Sequence, residues 1–223
     1  MRRFVIVMSL AAAAIAPLSA ALSTAETRRI QDAGTVLTEI SAVPEKGVPQ
    51  DLWNKAACVM VIPGLKKAAF VIGGEYGKGL MSCRRGRDWS APLFMRLEKG
   101  SWGLQIGAQS IDLVLLVMNK NGAEKLLANK VSLGAEMSVA AGPVGRDARA
   151  ATDANATAEI FSYSRTQGLF AGINLSGGVL RGDADDNKDL YGVNVNAREV
   201  LLGETVTVPA VAEPLMKALR KGV

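Results

Sequence analysis

The chain has 223 residues, a formal net charge of +5 and no histidine. This length suits one domain with a well-formed hydrophobic core. The mild positive charge permits an anionic membrane as partner and is too weak to predict a nucleic-acid partner. Histidine is the side chain most often used as a general base and as a metal ligand. Its absence favours a binding protein over an enzyme, and the sequence predicts no cofactor and no metal site.

The first 25 residues have the pattern of a secretory signal peptide. Two arginines precede an apolar run, FVIVMSLAAAAIA, that is too short to span a membrane comfortably. The small residues that follow fit cleavage after Ala21 or after Ala25. The sequence therefore predicts a signal peptide over residues 1–25 and a single mature domain over residues 26–223. This domain is expected to be periplasmic or secreted, with peripheral attachment to a membrane.

An amphipathic helix is predicted over residues 23–41. Ser23 and Glu26 fit a capping box, and four apolar residues recur at helical spacing, namely Ile30, Ala33, Leu37 and Ile40. Arg28 and Arg29 flank this apolar stripe. Two interpretations stay open. The helix packs on the domain, or it lies on anionic lipid and inserts Ile30 and Leu37.

From Cys58 onwards the apolar pattern changes to a period of two, which is typical of strands. The clearest alternation covers residues 131–141, and a second covers residues 169–175. The run IDLVLLVM at 111–118 suits a strand that is buried on both faces.

The remaining segments predict short helices and one hairpin. Lys99-Gly100 lies between two strand-like segments, 89–98 and 102–106, which predicts a tight hairpin. Trp53 lies on a short predicted helix and is a third candidate for membrane insertion. The short helices are expected at residues 51–57, 122–128, 196–202 and 211–221. Together these elements predict an α+β fold, with a large antiparallel β-sheet or barrel-like core and N-terminal and C-terminal helices.

Two local patterns suggest chemistry but fail its requirements. The segment GGEYGKG at residues 73–79 lacks the glycine spacing of a phosphate loop, and glycine follows its lysine where Ser or Thr is needed. The alternating acidic residues at 183–189 have Lys188 where a calcium loop needs glycine and Asn194 where it needs a bidentate glutamate. The first segment is predicted to be a hairpin and the second a solvated acidic turn.

Asp112 is a lone carboxylate at the start of an apolar run. Its burial without a partner would cost several kcal/mol, so we expect it to accept a hydrogen bond. A structural hydrogen bond to a loop is favoured over catalysis, because the sequence shows no partner acid or base. A hydrolase built on Asp112 is therefore the weakest functional hypothesis.

The two cysteines, Cys58 and Cys83, leave alternatives open. An oxidising compartment favours a disulfide, which could add about 3.5 kcal/mol on the chain-entropy model. Turns at Pro63-Gly64 and Gly77-Lys78, however, would make a three-stranded meander with the cysteines two strands apart. That separation of roughly 9 to 10 Å exceeds the reach of about 7 Å for a disulfide. Either the cysteines are free and buried or the meander is wrong.

The same meander predicts a basic patch. It places Lys66 and Lys67 at the same end of the sheet as three arginines that follow the third strand, namely Arg84, Arg85 and Arg87. Lys78 would lie at the opposite end. The patch is either a solvated charged rim or a site for phosphate-bearing headgroups, with about 1 kcal/mol of attraction per basic residue.

Several motifs in order resemble the SYLF domain, a lipid-binding family that includes actin-regulating eukaryotic proteins and exported bacterial ones. The motifs are WSAP (89–92), GLQIGAQSIDLVLLVMN (103–119), LGAEMSVAAGPVGR (133–146), FSYSRTQGLFAGINLSGGVL (161–180) and DNKDLYG (186–192). Their order and spacing cover nearly all of the predicted mature chain.

This resemblance implies phospholipid binding, in particular of phosphoinositides, without catalysis. It also implies that the N-terminal amphipathic segment and a basic surface meet the membrane, which here points by type and position to Arg28, Arg29, Lys66 and Lys67. Export would remove actin as a partner and favours anionic bacterial phospholipid or a host membrane. The alternative function is a structural or interaction protein of the cell envelope, whose protein partner is unknown.

Overall fold

The computed structural model describes residues 22–42, 48–128, 130–144, 158–166 and 169–222. The predicted signal peptide, as far as Ala21, lies outside these residues. The described chain forms a curled, mixed sheet of eight strands, with helices at both ends of the chain. The predicted α+β fold with a barrel-like core and terminal helices is confirmed.

Helix α1 covers Thr24–Ser41 and begins as the sequence predicts. The Glu26 N–H donates to the hydroxyl of Ser23 at 3.2 Å, and the Ser23 N–H donates to the Glu26 carboxylate at 2.5 Å. This reciprocal pair satisfies two donors at the start of the helix. Cleavage after Ala25 would remove the cap, whereas cleavage after Ala21 would leave it in place.

Eight strands follow in chain order. They are β1 (Cys58–Arg85), β2 (Asp88–Trp89), β3 (Leu93–Val117), β4 (Val131–Ser132), β5 (Val139–Ala141), β6 (Ile160–Thr166), β7 (Leu169–Gly172) and β8 (Gly178–Gly182). The longest pairing joins β1 and β3 as an antiparallel ribbon, from Cys58 opposite Val117 to Met81 opposite Leu93. Strand β6 pairs with one end of β3 and β8 with the other. Strands β5 and β6 are parallel.

The long β1–β3 ribbon folds back on itself and so closes the sheet. A register shift in the ribbon lies between Ala69 and Val71. The last part of β1 crosses the first part so closely that a Cβ at Gly79 would overlap the carbonyl oxygen of Val61. Glycine is needed there because it alone lets two backbones approach this closely.

The disulfide between Cys58 and Cys83 is formed, with 3.9 Å between the two Cα atoms. The predicted three-stranded meander is therefore wrong. Gly64 has a φ of 61° and lies at a register shift within β1, between Ile62 and Leu65, where the sequence suggested a turn. Gly77 also lies within β1. Because the continuous ribbon curls, the two ends of β1 meet, which a flat sheet would not allow.

The ribbon separates two hydrophobic clusters. Cys58, Met60 and Ile62 belong to the core that the curled sheet encloses. Val59 and Val61 belong to the second core, which includes residues of α1 and of the C-terminal helix. The end of β3 alternates in the same way, so the prediction of a strand buried on both faces is confirmed.

Two predicted strands are interrupted. The alternation over residues 131–141 is broken by a turn at Gly134, which has a φ of 87°, so β4 and β5 are separate. Strand β7 ends at Gly172, within the second predicted strand. The predicted hairpin at Lys99-Gly100 is wrong, because both residues lie inside the continuous strand β3.

The predicted helices are present with slightly different ends. They are α2 (Gln50–Lys55), α3 (Lys120–Leu126), α5 (Ala197–Leu201) and α6 (Glu213–Lys221), the last preceded by a 3-10 turn at Ala210–Ala212. Helix α4 (Ala184–Tyr191) was not predicted. Helices α1 and α6 pack against each other and cover one face of the sheet.

Candidate functional site

The structure brings two distant parts of the predicted basic surface together. The first turns of α1 and the irregular part of β1 around Pro63 line an open cleft of about 860 Å³. Its lining includes three basic side chains and two threonines, namely Arg28, Arg29, Lys66, Thr24 and Thr27, together with the carboxylate of Asp32. We refer to this surface as the basic cleft. Cationic groups and hydroxyls converge here on a space that is large enough for a phosphate-bearing headgroup.

The three basic residues that line the cleft, and Lys67 next to Lys66 in sequence, differ in whether they already form ion pairs. Arg28 and Lys66 are exposed, and neither forms an ion pair with a described residue. Arg29 pairs with Asp186 at 3.3 Å, and Lys67 pairs with Glu75 at 3.2 Å. Arg28 and Lys66 therefore offer the more available positive charge, because a ligand at Arg29 or Lys67 would have to compete with a carboxylate.

The other three predicted arginines lie elsewhere. Arg84 donates to the carbonyl oxygens of Trp53 at 3.2 Å and of Ala56 at 3.3 Å, and its guanidinium lies 4.5 Å from the ring centroid of Trp89. Burial lowers the pKa of Arg84. Its guanidinium therefore holds α2 against the end of β1, and a ligand at Arg84 would have to compete with these contacts.

The prediction that these arginines share one end of the sheet with Lys66 and Lys67 is wrong. Arg84 and Arg85 are at the end of β1 that carries the disulfide, because β1 continues through the positions where turns were predicted. Arg85 donates to the carbonyl oxygen of Val200 at 3.1 Å. Arg87 is exposed in the turn beyond the strand.

The three side chains predicted to insert into a membrane are buried. Ile30 and Leu37 have no exposed surface, and Trp53 is 3% exposed. All three belong to the hydrophobic core between the helices and the sheet. In this conformation α1 packs on the domain, which is the first of the two interpretations given for it above. Insertion of these side chains would require the helices to leave that core.

The acidic segment near residue 183 is a buried ion-pair cluster, so the predicted solvated turn is wrong. Lys78 lies 2.8 Å from Asp183 and 2.7 Å from Asp186, and Asp183 is 1% exposed. Burial alone would lower the pKa of Lys78, but the two carboxylates outweigh it and raise the pKa. Burial also raises the pKa of Asp186, although Lys78 opposes this effect. The cluster links β1 to α4, and Arg29 extends it to α1.

Asp112 has the structural role that the sequence predicts. Its carboxylate accepts a hydrogen bond from the N–H of Gly64 at 2.9 Å and is paired with Arg165 at 2.6 Å. Arg165 also pairs with Glu39 of α1. The carboxylate therefore supports the irregular part of β1 next to the basic cleft and ties this region to α1.

Neither a metal centre nor a membrane-spanning helix is found in the described part of the chain. No cluster of three or more potential metal ligands occurs among those residues. None of the described helices is both long enough and apolar enough to cross a bilayer.

Comparisons with known proteins agree with the motif order. A family model described as "Ysc84: Las17-binding protein actin regulator" matches residues 98–222. The chain is 38% identical over 169 residues to an SH3 domain-containing protein of Schizosaccharomyces pombe, a match that covers 74% of this chain and 39% of that protein. It is 34% identical over 177 residues to LAS seventeen-binding protein 3 of Saccharomyces cerevisiae, covering 77% of this chain and 38% of that protein.

A human relative is matched over a larger share of its length. The chain is 31% identical over 179 residues to SH3 domain-containing YSC84-like protein 1 of Homo sapiens, which covers 79% of this chain and 52% of that protein. The chain thus spans between 38% and 52% of the length of these three relatives.

Proposed function

This chain belongs to the Ysc84 family of Las17-binding protein actin regulators, and on that premise we propose that it is a non-enzymatic module that binds anionic phospholipid at a membrane surface. The resemblance to lipid-binding SYLF domains points to phosphate-bearing headgroups as the ligand chemistry. The sequence predicts an export signal, which favours action in the periplasm or outside the cell, away from actin. Anionic phospholipid of the envelope or of a host membrane is then the target.

The observation that carries this proposal is the basic cleft. Arg28 and Lys66 come from segments far apart in sequence, yet both line the same open cleft. Two available charges near an anionic surface contribute roughly 2 kcal/mol, which corresponds to about thirtyfold in affinity. This attraction is weak and is screened by salt, as suits a protein that associates reversibly with a membrane.

Co-sedimentation with vesicles tests the proposal. The protein should bind vesicles of mixed phosphatidylcholine and phosphatidylglycerol at low salt, and much less at high salt or to phosphatidylcholine alone. The double variant Arg28→Gln/Lys66→Gln should bind the acidic vesicles about thirtyfold more weakly. The matched control Arg87→Gln/Lys120→Gln removes the same charge from two exposed residues away from the cleft and should bind as the wild type does. Equal binding to both vesicle types, or equal losses in both variants, would refute the proposal.

A second candidate function, binding of a protein partner, is favoured by the names of the relatives, which describe LAS seventeen binding. Strand β7 offers a surface for it, since its described pairing is with β6 alone and its residue Leu169 is 67% exposed. Partner capture that survives Arg28→Gln/Lys66→Gln and is lost in Leu169→Asp would support this second function.

A further inference from the structure

The structure bears on which of the two predicted cleavage sites gives the mature chain. Cleavage after Ala21 would make Leu22 the first residue, and cleavage after Ala25 would make Glu26 the first residue. The signal pattern permits both cuts, because small residues precede each of them. The two products differ in whether they retain residues 22–25, so the contacts of these four residues distinguish the products.

Residues 22–25 belong to the folded domain. The side chain of Leu22 packs against the hydrophobic core between the helices and the sheet. The hydroxyl of Ser23 accepts a hydrogen bond from the N–H of Glu26 at 3.2 Å, and its carbonyl oxygen accepts one from the N–H of Thr27 at 3.0 Å. Three of the four residues also line the basic cleft, namely Leu22, Thr24 and Ala25.

Cleavage after Ala25 would place a charged amine on a buried residue. Glu26 is 5% exposed, and both its N–H and its carboxylate are bonded to Ser23. Without Ser23 the buried carboxylate would lose this partner, and α1 would begin with an ammonium group in place of its N-cap. A positive charge is unfavourable at that end of a helix. The product that begins at Glu26 would therefore be less stable, whereas the product that begins at Leu22 keeps all of these contacts.

Cleavage after Ala21 would instead add a positive charge to the basic cleft. Leu22 lines the cleft, and the N–H of Ser23 donates to the carboxylate of Glu26 at 2.5 Å. Covalent geometry places the nitrogen of Leu22 within about 4 Å of the nitrogen of Ser23. Because the core holds the side chain of Leu22 and the capping box holds the next residue, the new amine is held at the cleft.

We propose that the mature chain begins at Leu22 and that its free α-amino group is a binding group of the basic cleft. Hydrolysis adds water across the peptide bond between Ala21 and Leu22. The carboxylate stays on Ala21, and the amine of Leu22 takes up a proton below its pKa of about 8. The proposal rests on the predicted export signal and on the proposed lipid-binding function. It adds a cation to Arg28 and Lys66, which line the same cleft.

This cation differs from the others because it titrates near neutral pH. The chain contains no histidine, and both cysteines are in the disulfide. Lysine, arginine and tyrosine side chains ordinarily titrate at about pH 10 or above, and carboxylates near about pH 4. A change in lipid binding between pH 7 and pH 9 therefore reports on the α-amino group.

Charged groups from three elements lie around the amine. They are the cations Arg28 and Arg29 of α1 and Lys66 of β1, and the carboxylates Glu26 and Asp32 of α1 and Asp186 of α4, which pairs with Arg29. The cations lower the pKa of the amine and the carboxylates raise it. These effects oppose each other, so we expect the midpoint to stay close to the ordinary value of about 8.

The first test identifies the N-terminal residue of the exported protein. The full precursor is produced with export, and the intact mass of the purified protein is measured. We expect the mass of a chain that begins at Leu22. A mass that corresponds to any other first residue, Glu26 included, would overturn the proposal.

The second test measures binding to vesicles of phosphatidylcholine and phosphatidylglycerol at pH 7 and pH 9. The phosphodiester headgroups keep the same charge over this range. One cation near an anionic surface is worth about fivefold in affinity, and about a tenth of the amine stays charged at pH 9. Binding should therefore be about three- to fourfold weaker at pH 9.

The matched control is the same protein without its N-terminal amine. Transamination with pyridoxal phosphate converts the α-amino group to a carbonyl group and spares the lysine side chains, which the intact mass verifies. Circular dichroism establishes that the product remains folded. This form should bind about fivefold more weakly than the untreated protein at pH 7, and its binding should not change between pH 7 and pH 9.

The outcomes distinguish this proposal from the proposed lipid-binding function. Salt-sensitive binding to acidic vesicles that is equal at pH 7 and pH 9, or that transamination leaves unchanged, would overturn the role of the amine and leave lipid binding standing. Absence of binding to acidic vesicles would overturn lipid binding and, with it, the role of the amine. The mass of the exported protein decides the cleavage site in either case.

Discussion

Reduction of the disulfide between Cys58 and Cys83 should lower the free energy of unfolding by a predictable amount. The bridge joins the two ends of β1 across a sequence separation of 25. On the chain-entropy model, a loop of that length is worth about 3.5 kcal/mol, because the cross-link restricts the unfolded chain. For a protein of this size, each kcal/mol corresponds to about 2–4 °C in the thermal midpoint, so reduction should lower the midpoint by roughly 7–14 °C.

Urea unfolding, followed by circular dichroism, measures this difference directly. The oxidised and fully reduced forms have the same sequence, so the comparison is free of cavity effects from substitution. Both cysteines are buried in the core that the curled sheet encloses, so reduction should be carried out on the unfolded chain before refolding. The control is Cys58→Ala/Cys83→Ala, whose stability should not respond to reductant. A difference below about 1 kcal/mol, or an equal response in this control, would refute the role given to the bridge.

Two further substitutions test the packing of β1. Gly79→Ala should destabilise the protein by about 3 kcal/mol or more, because the added Cβ would overlap backbone. The control is Gly182→Ala, where an added Cβ would meet no atom within 4 Å, so its free energy of unfolding should stay within about 0.5 kcal/mol of the wild type. Equal losses of stability in the two variants, measured by urea unfolding, would contradict the close packing at Gly79. Lys78→Met should cost about 3 kcal/mol at pH 7, because it removes the nearest cation from two buried carboxylates and leaves them only the more distant Arg29 and Arg96. The folded-state pKa of Asp186 is already raised and rises further in this variant, so the loss should grow as pH rises through that pKa and shrink towards pH 4. The exposed Lys188→Met is the control, and a loss that is independent of pH would contradict the assignment.

Local patterns in the sequence predict much of the secondary structure. The capping box at Ser23 and Glu26 marks the start of α1 because its hydrogen bonds depend on residues three positions apart. Helix α4 was missed because its acidic residues suggest a turn, and Asp183 is instead the N-cap of that helix. The broken alternation over residues 131–141 shows the limit of periodicity, since Gly134 interrupts an otherwise regular pattern.

The candidate site was predicted in part. Arg28 and Lys66 were expected at a membrane surface by type and position, and the structure places both in one cleft. Asp186 pairs with Arg29, and Glu75 pairs with Lys67. Neither ion pair could be predicted from the spacing of residues in the sequence. No local signal relates residues that are more than a hundred positions apart, as Arg29 and Asp186 are.

The sequence by itself determined the class of fold, the start of α1 and the two-sided burial of the end of β3. These features follow from hydrogen bonds and apolar periodicity within short segments. Only the tertiary structure decided that β1 is a single curled strand, because a glycine that opens a turn and a glycine that permits close packing look alike in sequence. That curl brings Cys58 and Cys83 together and separates Arg84 from Lys66.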